Sequence, residues 1–423
     1  MTVRSLAFLA PGLALALSAA AAPAPFTLHF RQQFPLSGGI GLLVYNVTGG
    51  LDLDGDQRHD VLIAARNAPL MYFANVSAGR FVQRTLPGFT CGGSCAVAGG
   101  DLNRDGRTDL VYSSSPDALQ VIYGQVGGMF TAGPTLPYRA AALAITDVNG
   151  DAIPDVVSTD YAGTNRVSFG RAAGGFDTPA SAPTVPGSQF LALADFGGDG
   201  RVDILTAGDH AAVSVGVNQP GATPFARSDL PPLSAASDAD SYGLATGDAD
   251  GDGKADAVYA LNDADQSRSF LRVLLNRSAS APYLSATPSL YPLEGLYVRS
   301  PELFPVGLRL ADVTADGHPD AVLGIAGSAC RTLDPEGQPI WDDTCPSFAV
   351  YPGTGTGALA SPLTFAGARA PLGSVVLGDY DSDGQLDVAL FGSRMNAFEV
   401  FRYDGNRDRI FADGWGMRWP DQP

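Results

Sequence analysis

Short apolar runs recur along the whole chain and alternate with polar turns. In runs such as Val61–Ala64, Ala321–Leu323 and Val388–Leu390, successive side chains are apolar, so both faces of the segment are apolar. This pattern predicts short β-strands that are buried between two neighbouring sheets. No long stretch beyond the N-terminus has the 3.6-residue period of a helix, so we expect an all-β fold.

A nine-residue acidic segment precedes each of these runs and occurs seven times. Its fullest copy, Asp248–Asp256 (DADGDGKAD), has aspartates at positions 1, 3, 5 and 9 and glycines at positions 4 and 6. Consecutive copies begin 46 to 67 residues apart, which is a period typical of propellers and solenoids. We number the copies loop 1 to loop 7: Asp52–Asp60, Asp101–Asp109, Asp147–Asp155, Asp195–Asp203, Asp248–Asp256, Asp312–Asp320 and Asp379–Asp387.

Each repeat contains four predicted strands. One precedes the loop, one follows it, a third lies farther along, as in Gln120–Tyr123, and a fourth begins near an aromatic residue after a Gly or Pro turn, as at Phe81, Phe176 and Tyr283. Four antiparallel strands in each of seven repeats indicate a seven-bladed β-propeller. One repeat is too small to bury a core alone, so we predict a single domain over residues 23–423.

Two segments are candidates for closing the ring of blades. Phe26–Pro35 precedes loop 1 and resembles a fourth strand without its first three, so it is suited to the outer position of blade seven. Arg409–Trp415 is suited to the same position, and the sequence does not choose between them. Either arrangement removes a free sheet edge.

The N-terminal segment is predicted to be an export signal over residues 1–22. Arg4 supplies a positive charge, Leu6–Leu17 is apolar, and Ser18–Ala22 has the small residues that a signal peptidase accepts. A membrane anchor is the alternative, but Pro11-Gly12 interrupts the apolar run. We expect the mature chain to be periplasmic, at the cell surface or extracellular, without a transmembrane span.

The four cysteines fall into two local pairs, Cys91 with Cys95 and Cys330 with Cys345. Export to an oxidising compartment predicts two disulfides. A four-cysteine zinc site is the alternative, but the pairs are far apart in the sequence and no histidine lies near either of them.

The net charge of −18 mostly reflects the loops, which hold 24 of the 44 acidic residues. Without a basic stripe to neutralise phosphates, nucleic acid is disfavoured as a partner. Carboxylates packed this closely repel one another by roughly 4 kcal/mol per pair at 4 Å, so we expect a hard divalent cation among them, with Ca²⁺ as the first candidate. The alternative is a set of plain Asp and Gly turns closed by backbone N–H groups.

An EF-hand does not fit this aspartate spacing. It requires a bidentate Glu at position 12 and a following helix, whereas position 12 here is Ile63, Tyr259 or Leu390 within a predicted strand.

The loops and their flanking strands resemble the FG-GAP or VCBS repeat of integrin-type β-propellers over essentially the whole mature chain. In that family the side chains at positions 1, 3, 5 and 9 and the carbonyl at position 7 bind Ca²⁺. The resemblance implies several structural Ca²⁺ ions with these ligands: Asp52, Asp54, Asp56, Asp60; Asp101, Asn103, Asp105, Asp109; Asp147, Asn149, Asp151, Asp155; Asp248, Asp250, Asp252, Asp256; Asp312, Thr314, Asp316, Asp320; and Asp379, Asp381, Asp383, Asp387.

The loops differ at position 3. Asn103 and Asn149 keep an oxygen ligand with less charge, and Thr314 is a weaker ligand. Gly197 supplies no side chain, so loop 4, with Asp195, Asp199 and Asp203, is expected to be weak or empty.

The longest insertions fall in connections at the rim opposite the loops. They carry Tyr297, Arg299, Glu302 and Trp341, which are candidates for a ligand-binding rim. The alternative is that these insertions only cover blade edges.

The resemblance to integrins and lectins implies a non-catalytic binding or adhesion module for a glycan or an extracellular protein. The alternative function is a secreted carbohydrate-active enzyme similar to polysaccharide lyases, and a purely architectural role is a third. The sequence has no GxSxG, HExxH or Gly-rich phosphate loop, and we interpret His59 and His318 as exposed turn residues.

Overall fold

A computed structural model of the chain shows seven four-stranded antiparallel sheets, which are the blades of one β-propeller. The structure describes residues 26–33, 44–65, 67–92, 95–208, 212–220, 225–231, 239–263, 268–285, 289–293, 307–325, 331–333, 339–341, 346–366, 373–392 and 397–403. The predicted signal segment lies outside these ranges. Within them, no helix has the length and hydropathy needed to cross a membrane.

The blades follow one another along the chain, and blades 1 to 6 each contain their four strands in sequence order, whereas blade 7 takes its fourth strand from the N-terminus. The strands of blades 1 to 3 are β2 (Val44–Leu51), β3 (Asp60–Ala65), β4 (Pro69–Ser77) and β5 (Arg80–Thr90); β6 (Val97–Gly100), β7 (Asp109–Ser115), β8 (Ala118–Gln125) and β9 (Met129–Leu136); and β10 (Ala142–Thr146), β11 (Asp155–Asp160), β12 (Thr164–Ser168) and β13 (Ala180–Pro183).

The strands of blades 4 to 6 are β14 (Phe190–Ala194), β15 (Asp203–Ala207), β16 (Val213–Asn218) and β17 (Phe225–Asp229); β18 (Ala239–Gly247), β19 (Asp256–Asp263), β20 (Arg268–Leu274) and β21 (Ser289–Pro292); and β22 (Leu308–Ala311), β23 (Asp320–Gly324), β26 (Pro346–Tyr351) and β27 (Leu363–Ala366). Blade 7 contains β28 (Gly373–Gly378), β29 (Asp387–Gly392), β30 (Ala397–Tyr403) and β1 (Phe26–Gln33).

The second strand of each blade is buried on both faces, as its unbroken apolar pattern predicts. In β3, Val61 and Ile63 pack against blade 7, whereas Leu62 and Ala64 pack against blade 2. The buried apolar residues described by the structure form seven clusters, one at each junction between neighbouring blades. The core is therefore a ring of interfaces between sheets and has no single centre.

The ring is closed by the N-terminal strand. β1 pairs with β30 in antiparallel register from Phe26 opposite Tyr403 to Gln33 opposite Ala397. This confirms the first of the two sequence alternatives; Arg409–Trp415 lies outside the described residues. Phe398 of blade 7 also stacks on Phe73 of blade 1, with 4.3 Å between ring centroids, so apolar packing joins the last blade to the first.

Two predicted fourth strands were placed too early. Phe176 and the residue after Tyr283 form only isolated bridges, Gly170 with Phe176 and Asn276 with Leu284. The fourth strands of these blades, β13 and β21, begin farther along, at Ala180 and Ser289. In these two blades an aromatic residue after a turn therefore lies at or next to an isolated bridge and not at the start of the fourth strand.

Blade 6 carries an extra hairpin between its second and third strands. β24 (Arg331–Leu333) pairs with β25 (Pro339–Trp341), outside the four-stranded sheet. Because neighbouring strands are antiparallel, connections from second to third strands emerge at the rim opposite the seven loops. This places the end of β25, where Trp341 lies, at that opposite rim.

Removal of the closing strand tests this architecture. We expect a chain that begins at Pro35 to melt at a lower temperature and less cooperatively than residues 23–423, because β30 loses its partner and leaves an open edge. Circular dichroism melts compare the two chains. A synthetic peptide of residues 26–33 should restore part of the loss; identical melts for both chains would show that β1 does not close the ring.

Candidate metal centres

The aspartate at position 9 of every loop is the first residue of the second strand, and its side chain is almost fully buried. One carboxylate oxygen accepts the N–H of loop position 2, and the other accepts an N–H within two residues of the end of the third strand. In loop 1, Asp60 accepts from Leu53 at 2.9 Å and from Asn75 at 2.8 Å. The same two contacts occur in all seven blades, at Asp60, Asp109, Asp155, Asp203, Asp256, Asp320 and Asp387.

Positions 1 and 5 shape the loop itself. In loop 5, Asp248 accepts the N–H groups of Asp252 at 3.1 Å and Gly253 at 2.9 Å, and Asp252 accepts that of Lys254 at 2.9 Å. Equivalent bonds occur in every loop. Positions 4 and 6 have positive φ throughout, which glycine adopts without strain, as at Gly251 and Gly253. The carboxylates at positions 1, 5 and 9 therefore do accept backbone N–H groups, as the alternative of plain Asp and Gly turns predicts.

Carboxylates converge in the three loops that have aspartate at position 3. Positions 1, 3 and 9 offer oxygen atoms that all lie within 4.8 Å of one another in three groups: Asp52, Asp54 and Asp60; Asp248, Asp250 and Asp256; and Asp379, Asp381 and Asp387. The position-3 side chains are only 7 to 9% exposed. Oδ1 of Asp54 is buried without a hydrogen-bond partner, so its lone pairs are available to a cation.

Position 5 is not part of these groups. Its carboxylate instead pairs with a basic side chain: Asp56 with Arg58, Asp252 with Lys254 at 3.7 Å, and Asp383 with Arg402 at 3.8 Å.

Position 3 is also paired in these loops, with an arginine from outside the loop. Nη1 of Arg84 lies 2.9 Å from Asp54, Nη2 of Arg277 lies 3.1 Å from Asp250, and Nε of Arg402 lies 2.7 Å from Asp381. Sequence reasoning missed these three residues. Arg277 and Arg402 lie near the end of a third strand, and this position in the repeat could have identified them. Arg84 lies on a fourth strand, and no sequence signal marks it.

In loops 2 and 3 the position-3 amide interacts with position 5. The side-chain nitrogens of Asn103 and Asn149 donate to Asp105 at 3.2 Å and Asp151 at 3.1 Å. Their oxygens accept the N–H groups of the same two aspartates at 3.0 Å. These loops keep an oxygen at position 3 without its charge.

In loops 4 and 6 a tyrosine of the next blade approaches position 3. A β-carbon on Gly197 would lie 3.3 Å from the Tyr283 hydroxyl, so the phenol fills the space of the missing side chain. Burial, followed by the charges of Asp203 and Asp199, raises the pKa of Tyr283. In loop 6, the Tyr403 hydroxyl donates to the carbonyl of Thr314.

The loops also join neighbouring blades. The amides of Asn75, Asn218 and Asn276 donate to the position-2 carbonyls of the preceding loops at 2.7 to 2.8 Å. Asn75 and Asn276 lie in glycosylation sequons, and their burial leaves neither accessible to a transferase in the folded chain. His59, predicted to be exposed, is half-buried because its Nδ1 accepts the N–H of Asp379 at 3.1 Å.

Burial changes the acidity of the position-9 carboxyls. It raises the pKa of Asp60 and of Asp387 to about 7, while backbone N–H donors act in the opposite direction. The same cause raises the pKa of Asp109, Asp155 and Asp256 to about 6. Ionising these groups without a cation therefore costs folding free energy.

The opposite rim is described only in part. Cys91 and Cys95 form a buried disulfide in the crossing from blade 1 to blade 2. Cys330 and Cys345 lie outside the described residues, as do Tyr297, Arg299 and Glu302, and Trp341 is described through its backbone alone. The structure therefore brings together positions 1, 3 and 9 of three predicted metal loops, without position 5, and the ligand rim and the enzyme alternative stay predictions.

Comparison with known proteins gives a family and a fold. The sequence profile of the family described as FG-GAP-like repeat matches residues 52–137 and 147–206, which contain loops 1 to 4. Two crystal structures of BBS1N in complex with ARL6DN, soaked with mercury and with lead, have a TM-score of 0.54 at 9% and 11% identity. Each alignment covers 90% of this chain and 97% of the matched chain, and this likeness shows the fold alone. No curated protein matches the sequence.

Replacing a position-9 carboxylate tests its structural role apart from any cation. Asp203→Asn changes loop 4, which has no position-3 side chain, and leaves one of two buried N–H donors without an acceptor. We expect a loss of about 1–3 kcal/mol in the free energy of unfolding, equally in Ca²⁺ and in EDTA. Urea unfolding measures it, with the exposed Asp117→Asn as control. A loss seen in Ca²⁺ alone would contradict a structural role.

The raised carboxyl pKa values predict a pH dependence of the cation-free protein. An unfolded Asp titrates near pH 4, so between about pH 4 and pH 7 the folded chain binds more protons than the unfolded chain. The contribution to stability is present at low pH and is lost as the pH rises through 6 to 7. In EDTA we expect a higher melting temperature at pH 5.5 than at pH 7.5, and a smaller difference in Ca²⁺. The reverse order in EDTA would refute the assignment.

Proposed function

The chain belongs to the β-propellers built of FG-GAP-like repeats, and on that basis we propose that it is an exported, Ca²⁺-stabilised, non-catalytic module that binds a glycan or an extracellular protein. The main support for a bound cation is the convergence of the carboxylates at positions 1, 3 and 9 in loops 1, 5 and 7, where the position-3 side chain is more than nine-tenths buried.

The donor set favours calcium over a transition metal. All the converging atoms are carboxylate oxygens, and loops 2, 3 and 6 add amide, hydroxyl or carbonyl oxygens. Hard oxygen donors in a flexible loop suit Ca²⁺, whereas thiolate and imidazole donors would be needed for a typical zinc site. The unpaired buried Oδ1 of Asp54 supports the proposal, because it is an oxygen donor without another partner.

We assign the ion a structural role. Each loop connects the first two strands of its blade and contacts the next blade. A divalent cation there offsets the repulsion between carboxylates and the cost of burying position 9, so binding free energy becomes folding free energy. Loops 1, 5 and 7 hold full carboxylate sets, loops 2 and 3 hold weaker ones, and we expect loops 4 and 6, approached by Tyr283 and Tyr403, to bind least.

Ligand binding is assigned to the opposite rim. Long connections emerge there from a rigid propeller, including the hairpin β24–β25 and the crossing fastened by Cys91 and Cys95. Binding residues are often found on loops that a rigid scaffold positions, and Tyr297, Arg299, Glu302 and Trp341 lie in these connections. In the similar solved structures BBS1N is in complex with another protein, ARL6DN, and a protein partner is the second ligand class that we propose for this chain.

Export is supported by three features: the predicted signal segment, the Cys91–Cys95 disulfide, and the family of the repeat. We place the mature chain in the periplasm, at the cell surface or outside the cell.

A glycan-array screen of residues 23–423 in Ca²⁺ and in EDTA, with elemental analysis, tests the proposal. We expect several bound Ca²⁺ per chain, a lower melting temperature after chelation, and saturable binding to a defined sugar. If no sugar binds, affinity capture with a Trp341→Ala control tests the protein ligand class.

Three outcomes would contradict the proposal. An unchanged melt in EDTA together with no Ca²⁺ in loaded protein would refute the cation. Turnover of an acidic polysaccharide would refute the non-catalytic assignment. Binding that is unaffected by disruption of the opposite rim would refute its location. The triple variant Asp54→Asn, Asp250→Asn, Asp381→Asn separates the first outcome from the others, because it alters the loops alone.

A further inference from the structure

Loops 1, 5 and 7 each contain a buried carboxylate that already has a positive partner. The guanidinium groups of Arg84, Arg277 and Arg402 lie 2.7 to 3.1 Å from Oδ2 of the position-3 aspartates. Arg84 is also held by the Tyr72 hydroxyl at 3.3 Å and lies over the Tyr72 ring. In loop 1 the other oxygen, Oδ1 of Asp54, stays unpaired. In loop 1 the guanidinium therefore pairs with one oxygen of the carboxylate, and the other oxygen remains available to a cation shared with Asp52 and Asp60.

The three arginines reach their loops from different places in the blade. Arg84 lies on the fourth strand of blade 1, Arg402 on the third strand of blade 7, and Arg277 just beyond the third strand of blade 5. They are therefore not a by-product of the repeat. Among the residues that the structure describes, position 3 has no arginine partner in loops 2 and 3, where Asn103 and Asn149 are neutral and pair with position 5. The arginine accompanies the charge at position 3.

We propose that Arg84, Arg277 and Arg402 are internal counterions that compete with a divalent cation for loops 1, 5 and 7, and so set the cation concentration at which each loop fills. This inference rests on the proposed cation sites and concerns their regulation. Each arginine keeps its loop folded without the cation and weakens binding of the cation.

Electrostatics predicts the direction of both effects, on cation affinity and on the stability of the cation-free loop. A divalent cation and a guanidinium about 6 Å apart repel by the equivalent of about a tenfold change in affinity even at the dielectric constant of water. Without the cation, the arginine is the partner of a carboxylate that is almost fully buried, and removing it leaves that charge uncompensated. The effects should be largest for Arg84 and Arg402, which are 38% and 33% exposed, and smallest for Arg277, which is 62% exposed and better screened by water.

The test uses Arg84→Gln in residues 23–423. Calcium titration calorimetry of EDTA-stripped protein should show one site that binds about tenfold more tightly than in the wild type. Melts in EDTA should show a lower melting temperature. Arg84→Lys keeps the charge and should keep an affinity close to that of the wild type. Arg139→Gln removes a similar charge from an exposed pair with Asp117 at the opposite rim and should change neither quantity.

The outcomes distinguish this inference from the function on which it rests. If the wild type takes up no Ca²⁺, the proposed cation sites are refuted, and the proposed competition between arginine and cation is refuted as well. If the wild type binds Ca²⁺ but Arg84→Gln binds it equally or more weakly, the counterion inference alone is refuted. A variant that binds more tightly without any loss of stability in EDTA refutes the part of the inference that concerns the cation-free loop.

Discussion

The buried carboxylate at position 9 is the interaction on which each blade depends. It accepts one N–H from the loop and one from the end of the third-strand region, and it begins the second strand. Three parts of the blade are thus fixed by one side chain. Because burial raises its pKa, the charged form persists at neutral pH only with these donors or with a nearby cation.

The other loop positions have different roles. Positions 1 and 5 bind backbone N–H groups and shape the turn, which would hold even in loops that bind no cation. Position 3 receives no comparable backbone support at Asp54, so its charge needs an external partner, either Arg84 or a metal ion. Under the proposed function, one repeat pattern therefore yields loops that differ in cation affinity, although every blade keeps the same position-9 contacts.

The loops also contact the neighbouring blades, so a change in one loop affects more than its own sheet. Asn218 and Asn276 donate to carbonyls in the preceding loops, and the apolar clusters lie at the same junctions. We therefore expect a cation that stabilises a loop to stabilise the interface beside it as well. Under the proposed function, this rigidity supports the insertions at the opposite rim, where a ligand needs a fixed surface.

The sequence by itself determined the number of blades, the second strands and the position of every loop, because these depend on local spacing and on apolar runs such as Val61–Ala64. It misplaced two fourth strands for a local reason as well, since an aromatic after a turn marks either a strand or a bridge. Only the tertiary structure decided the closing strand and the partners of position 3. Arg84 meets Asp54 across 30 residues, and Asn75 meets Tyr380 across 305. Such contacts form where strands and blades are packed together, and the spacing of the nine-residue loop pattern does not encode them.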